Sequence, residues 1–226
     1  MVQPLIWVDG IIGAGKTTAA KEIGDSLELS IFQEPLNEDL LKIYYEDQIS
    51  WGFSFQIDML NKRFAIQSAA AITAQYRKGA IIDRALPGDR VFAQMLMKDK
   101  KIHPINWEIY ESAYNMFIQI LPAPNLLIFL DVLPEVAYQR IKDRNREAET
   151  SSLLPLAYLH RLHSEYQNLL SKISTGQHPW SSQTEIWIID WNEDWQSLKP
   201  VIENIKTHFR VVNFFHQETK ETLLVY

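Results

Sequence analysis

The chain has 226 residues, 46% of them hydrophobic, with a formal net charge of -6 and no cysteine. That length and apolar content predict one compact domain around a sizeable core. The acidic balance argues against a general nucleic-acid binder, which needs a basic face to meet phosphates, and the missing thiols exclude disulfides, thiolate zinc sites and cysteine nucleophiles.

Short apolar runs alternate with longer helical ones, the pattern of an α/β fold with a mainly parallel sheet. The first expected strand, Leu5 to Val8, leads into Gly10-Ile11-Ile12-Gly13-Ala14-Gly15-Lys16-Thr17-Thr18, which fits the phosphate-binding pattern G-x-x-x-x-G-K-[ST]. Glycines let backbone N–H groups curl around phosphate oxygens, Lys16 supplies a point charge, and the Thr17 hydroxyl suits Mg2+. A helix over Thr17 to Leu27 and a strand over Ser30 to Gln33 follow, placing Glu34, before Pro35, at a strand's C-terminal end, where ligands gather in parallel sheets. A carboxylate there accepts the proton of an attacking hydroxyl.

Helices are predicted over Glu38 to Asp47 and Phe53 to Lys78. In the latter, Gln56, Met59 and Arg63 recur at i, i+3 and i+7, on one face. Gln56 offers a donor and an acceptor to a base edge, with Phe55, Phe92 and Tyr45 as aromatic walls and Trp51 beside the pocket, while a buried Arg63 needs a counter-charge such as Asp89. Arg77-Lys78-Gly79 caps this helix before a strand over Ala80 to Ile82. Asp83 then suits Mg2+ and Arg84 an acceptor oxygen; Asp131, after the strand Asn125 to Leu130, is the rival carboxylate but reads more naturally as a turn or cap.

Helices over Arg90 to Lys98 and Pro104 to Leu121 precede that strand, and one over Pro134 to Arg144 follows it. Arg140 and Arg144 share a helical face and, with Arg146, form a candidate phosphate-clamping lid at about 140–152. A helix over Leu154 to Ser174, a strand over Glu185 to Ile189 and a helix over Glu193 to Phe209, interrupted by Pro200, complete the pattern; the tail from 210 to 226 has no assigned role. The six histidines show no metal spacing. No apolar stretch approaches the roughly 20 residues of a membrane span. Nine residues before Gly10 leave no room for a leader, so a soluble cytoplasmic protein is expected, without nucleic-acid or membrane partners.

Together these residues resemble the deoxyribonucleoside kinase family, from the first strand to about Trp195. The resemblance rests on Gly10 to Thr17, Glu34-Pro35, Trp51 to Gln56, Asp83-Arg84-Ala85 and Arg140 to Glu149. It implies a three-layer fold of the phosphate-loop NTPase type, with a parallel five-stranded sheet flanked by helices, that phosphorylates a deoxyribonucleoside 5'-hydroxyl using ATP and Mg2+ and forms a homodimer, the candidate surfaces being Pro104 to Leu121 and Leu154 to Ser174. It further implies that Glu34 is the base, that Arg84 steadies the hydroxyl oxygen, that Asp83 helps hold Mg2+, and that Tyr45 and Glu149 bind the sugar 3'-hydroxyl. Asn192-Glu193-Asp194-Trp195 is similar to the family's loop around the donor adenine. Asp83 to Ala93 resembles the deoxycytidine and deoxyguanosine branch, in which Arg63 and Asp89 would face the base; purine deoxynucleosides and deoxycytidine then rank above thymidine. Ala85 replaces the usual Ser, Asp39 stands where many relatives carry Trp, and the bulky Met59 narrows the base pocket. Two rivals share much of the pattern: thymidylate kinase, whose monophosphate acceptor calls for an Arg where Gln33 stands, and a non-catalytic subunit with this fold.

Overall fold

A computed structural model describes residues 3–34, 36–76, 78–144, 154–193 and 197–209. Five strands, β1 (Leu5–Asp9), β2 (Ser30–Phe32), β3 (Ala80–Asp83), β4 (Leu126–Asp131) and β5 (Glu185–Asp190), form one sheet in the order β2-β3-β1-β4-β5, every pair parallel. β1 and β3 are buried along their whole length and β4 nearly so, because helices cover both faces, which is why their sequences are apolar runs rather than alternations.

The helices are α1 (Lys16–Ser26), α2 (Glu38–Glu46), α3 (Gln48–Tyr76), α4 (Leu86–Lys98), α5 (Pro104–Ile120), α6 (Pro134–Arg144), α7 (Leu156–Ser174) and α8 (Lys199–Phe209). Three begin four or more residues from where their sequences predict. α3 starts five residues before Phe53 because the Asp47 carboxylate accepts from the N–H groups of Ile49 and Ser50, both at 3.1 Å, and caps it. α4 starts at Leu86 rather than Arg90, and α8 at Lys199 rather than Glu193, since Pro87 and Pro200 occupy first turns, where a missing N–H breaks no helical bond. Pro200 therefore opens α8 and produces no kink.

α7 turns Leu159, Leu162, Tyr166, Leu170 and Ile173 into the core. α5 leaves Ile105, Ile109, Met116 and Ile120 exposed, and α3 leaves Ile72 and Tyr76 exposed. A smaller apolar cluster of Leu41, Tyr44, Phe55, Met59, Leu96 and Ile102 sits beneath α2 and α3, apart from the main core. No helix among the described residues is long and apolar enough to cross a membrane.

Candidate active site

The strands' parallel direction brings their C-terminal ends to one rim, and the loop from Gly10 to Gly15 turns there from β1 into α1. Gly13 and Gly15 adopt left-handed backbone, with φ of 83° and 84°, and Gly15 caps α1, whose first N–H groups face the rim. Lys16 Nζ is buried and donates to the Ile11 carbonyl at 2.8 Å. Burial, then the charge of Arg84, lowers the Lys16 pKa to about 8 against the pull of Asp83, Asp9 and Glu34.

A triphosphate bound at this loop would favour the charged form of Lys16, and its affinity should then be flat below pH 8 and fall as pH rises through about 8. Titration calorimetry with a non-hydrolysable ATP analogue at about pH 6.5 and pH 9.5 tests this, with roughly tenfold weaker binding expected at the higher value; equal affinities would refute it. The folding linkage has the opposite sign, because the unfolded chain holds this proton to higher pH: the cost of burying Lys16 is full below its folded pKa and fades above it.

Thr17 Oγ1 donates to Asp83 Oδ2, and Asp83 Oδ1 is buried without a hydrogen-bond partner among the described residues. A hydroxyl beside a carboxylate with an unused oxygen fits Mg2+, which is held through few protein oxygens together with water and phosphate. Asp131 instead contacts His163 Nε2 at 2.8 Å.

Across the rim, Glu34 is gripped by two arginines. Arg63 donates to its Oε1, and Arg84 Nε lies 3.1 and 3.3 Å from its two oxygens. Burial pushes the Glu34 carboxyl up, but Arg84, Arg63 and Lys16 outweigh it and hold the pKa at about 2. Arg84 is 5% exposed, has φ of 69°, and stacks its guanidinium 4.8 Å from the Phe92 ring centre. Arg63 also pairs with Asp89, which accepts from Tyr110 Oη.

A cavity of about 540 Å³ joins these groups. Gly13, Gly15, Lys16, Thr17, Thr18, Arg140 and Arg144 line one end; Glu34, Asp83 and Arg84 lie along it; Tyr45, Phe55, Gln56, Met59, Arg63 and Phe92 line the rest. Four expected residues stand elsewhere. Gly10 and Ala14 are buried within the loop and line no part of the cavity, Glu193 is exposed outside it, and Asp89 lies wholly buried behind Arg63 instead of facing a base. Trp51 is a fifth departure: its side chain is 42% exposed and lines no part of the cavity. Pro35, Arg77, Arg146, Glu149, Asp194, Trp195 and the tail lie outside the described residues. Arg140 donates to the carbonyls of Trp191 and Asn192 at 3.0 and 3.3 Å, joining α6 to the segment after β5.

The sequence reading missed Leu41, Tyr44 and Tyr158, which line the cavity along with Ile12, Gln33 and Leu36. Tyr44 stacks on Phe55 with ring centres 4.3 Å apart. Gln56 is 2% exposed, and its Oε1 has no hydrogen-bond partner among the described residues. Burial, foremost among the causes, raises the Tyr44, Tyr45 and Tyr158 phenols, so all three stay neutral near pH 7 and can each donate one hydrogen bond.

Residues 6–213 match the sequence profile of the family described as deoxynucleoside kinase. The chain is similar to deoxyadenosine kinase of Dictyostelium discoideum, 32% identical over 94% of this chain and 82% of that one, and to deoxyguanosine kinase of the same organism, 31% identical over 83% of this chain and 64% of that one. The structure of deoxyadenosine kinase from M. mycoides with bound dCTP superposes with a TM-score of 0.71 at 26% identity, covering 92% of this chain and 99% of that chain. The strand order, the phosphate loop and a profile match running through almost the whole sheet agree: this chain belongs to the deoxynucleoside kinase family, a family of phosphoryl-transferring enzymes.

Proposed function

We propose that the protein transfers the terminal phosphoryl group of ATP to the 5'-hydroxyl of a deoxyribonucleoside, a salvage step toward DNA precursors. One observation carries this reading: a single cavity runs from the phosphate loop to a wall of Phe55, Gln56 and Met59, with Glu34 and Arg84 between. The loop and Lys16 bind the donor phosphates, and Arg140 and Arg144 converge on the same end to offset charge that spreads over the phosphoryl oxygens in transfer. Mg2+, held by Thr17 and Asp83, would neutralise phosphate charge when bound. Glu34 accepts a hydrogen bond from the 5'-hydroxyl and its proton as the oxygen bonds to phosphorus. With its pKa near 2, Glu34 is a weak base, so the proton moves late, when the attacking oxygen has become acidic. Arg84 steadies that oxygen.

The nucleobase packs between Phe55 and Phe92 over Met59. Gln56, with an unused carbonyl oxygen, matches an exocyclic amino group beside a ring-nitrogen acceptor, the paired edge of adenine and cytosine. Arg63 adds donors for a carbonyl oxygen, as guanine presents. Thymine opposes a carbonyl to the free Gln56 oxygen and ranks last. Tyr45 serves the sugar. At the acceptor end Gln33 and Leu36 bring no positive charge for a monophosphate.

The test is a panel of the four deoxynucleosides, their ribose counterparts and the deoxynucleoside monophosphates, each with ATP and Mg2+, read as kcat/KM. Deoxyadenosine, deoxyguanosine or deoxycytidine should exceed thymidine and every monophosphate by at least tenfold, a gap of about 1.4 kcal/mol. Preference for a monophosphate would overturn the assignment of the acceptor.

A further inference from the structure

Asp9 closes β1 immediately before the first loop glycine, is 3% exposed, and lines no part of the cavity. Its Oδ1 accepts from the Gly10 N–H at 2.8 Å and from the Tyr166 hydroxyl at 2.9 Å, and its Oδ2 accepts from the Ala85 N–H at 3.5 Å. Tyr166, 1% exposed in the middle of α7, in turn accepts from Arg84 Nη1 at 2.9 Å. Space for this chain of groups exists only because residue 88 is glycine: a Cβ there would lie 2.4 Å from Asp9 Oδ2 and 2.8 Å from the Tyr166 oxygen.

The donors run one way, from guanidinium to phenol to carboxylate, so each proton has a single place to point. Arg84 is held on two edges: Nε faces Glu34 inside the cavity, and Nη1 is tied to Tyr166 outside it. The same carboxylate that ends this chain grips the first peptide of the phosphate loop. The guanidinium beside the acceptor and the loop around the donor thus share one buried anchor. Phosphoryl transfer is sensitive to that distance, because little covalent chemistry is left to the protein beyond placing charges.

We propose that Asp9 and Tyr166 are positioning residues for the transfer: they touch neither substrate and act by fixing Arg84 against the phosphate loop. The inference rests on the kinase reading above. Tyr166→Phe keeps the ring against Phe129, whose centre is 5.5 Å away, and removes only the bridging hydroxyl. It should lower kcat roughly tenfold while both KM values stay within about twofold, the mark of an interaction that matters in the transition state. In an Arg84→Ala background the same substitution should change kcat by less than about twofold, since the group it positions has gone. Arg84→Met replaces Arg84→Ala if the latter does not fold, and Asp9→Asn, which keeps an oxygen for the Gly10 N–H, is expected to follow Tyr166→Phe.

An equal kcat loss in both backgrounds, or wild-type kcat for Tyr166→Phe, overturns the proposal. Melting temperatures of the same four proteins form a second cycle that needs no turnover: the Arg84 to Tyr166 hydrogen bond requires non-additive losses, and additive losses overturn it too. A wild-type protein inert toward every deoxynucleoside would sink the kinase reading and leave this second cycle to decide the network.

Discussion

Glu34→Gln should lower kcat by roughly three orders of magnitude and leave the nucleoside KM within about threefold. The substitution is nearly isosteric, so its effects are electrostatic. A carboxamide oxygen cannot take the hydroxyl proton at neutral pH. Its amide group also turns N–H donors toward Arg63 and Arg84, which now hold one carboxylate between them. With that charge gone, two guanidinium groups repel across the gap where the acceptor oxygen must sit. The base-facing residues Phe55, Gln56 and Met59 belong to a different stretch of wall and are not disturbed, so binding persists. Steady-state kinetics on the purified variant measures both constants. A kcat within fivefold of wild type would show that Glu34 does not receive the proton. Because Arg84, Arg63 and Lys16 hold Glu34 at about pH 2, the wild-type enzyme should show no loss of activity from Glu34 protonation in the ordinary acid range.

Gly13→Ala should cost more than catalysis. The residue sits at φ of 83°, and a Cβ would lie 2.5 Å from the Ala137 carbonyl oxygen and 2.9 Å from Ile141 Cγ1. The nearest atom belongs to helical backbone in α6, which cannot swing aside as a side-chain tip can. Left-handed strain and overlap together suggest a loss of roughly 2–4 kcal/mol in folding free energy, a fall in melting temperature of about 5–15 °C. Relief by pushing the loop and α6 apart would move the loop's N–H groups off the phosphates and separate them from Arg140 and Arg144 on the helix. ATP affinity should therefore drop by at least tenfold even well below the melting point. Thermal denaturation and calorimetric titration read the two effects separately; unchanged donor affinity in a destabilised protein would mean that the loop keeps its shape.

What the amino-acid order makes legible here is what nine or ten adjacent residues can encode. The phosphate loop is contiguous, and its glycines state their own backbone angles. The central strands are legible because burial on both faces demands an unbroken apolar run, as in Leu126 to Leu130. Helix starts were harder, because Asp47 ends α2 and caps α3 at once, and a proline reads as a break until its place in the first turn is known.

Within the site, Arg63 and Asp89 could be paired on chemical grounds, since a buried guanidinium demands a carboxylate. The second partner of Arg63, Glu34, is 29 residues away, and nothing in either segment announces the contact. Tyr44 and Tyr166 are buried in apolar clusters and Tyr158 is half-buried against the core, surroundings that hide the place of Tyr44 and Tyr158 in the cavity wall and of the Tyr166 hydroxyl between Arg84 and Asp9. Asp9 falls between the expected strand Leu5 to Val8 and the first loop glycine, where nothing in the order of residues marks it. Trp51 is expected beside the pocket for its nearness to Gln56 in the chain, but five helical residues are about 140° around the axis, enough to turn the indole toward solvent while Gln56 faces in.

Arg84 carries its charge on a backbone that few side chains adopt willingly. A left-handed φ of 69° at a non-glycine residue costs about 1 kcal/mol or more, and the surrounding structure must hold it there. Glycine or asparagine would sit more comfortably on that turn, yet neither brings a guanidinium to the end of β3. The contacts of Arg84 with Glu34, Tyr166 and Phe92 must therefore first offset the turn's own cost, and only what is left over adds to stability.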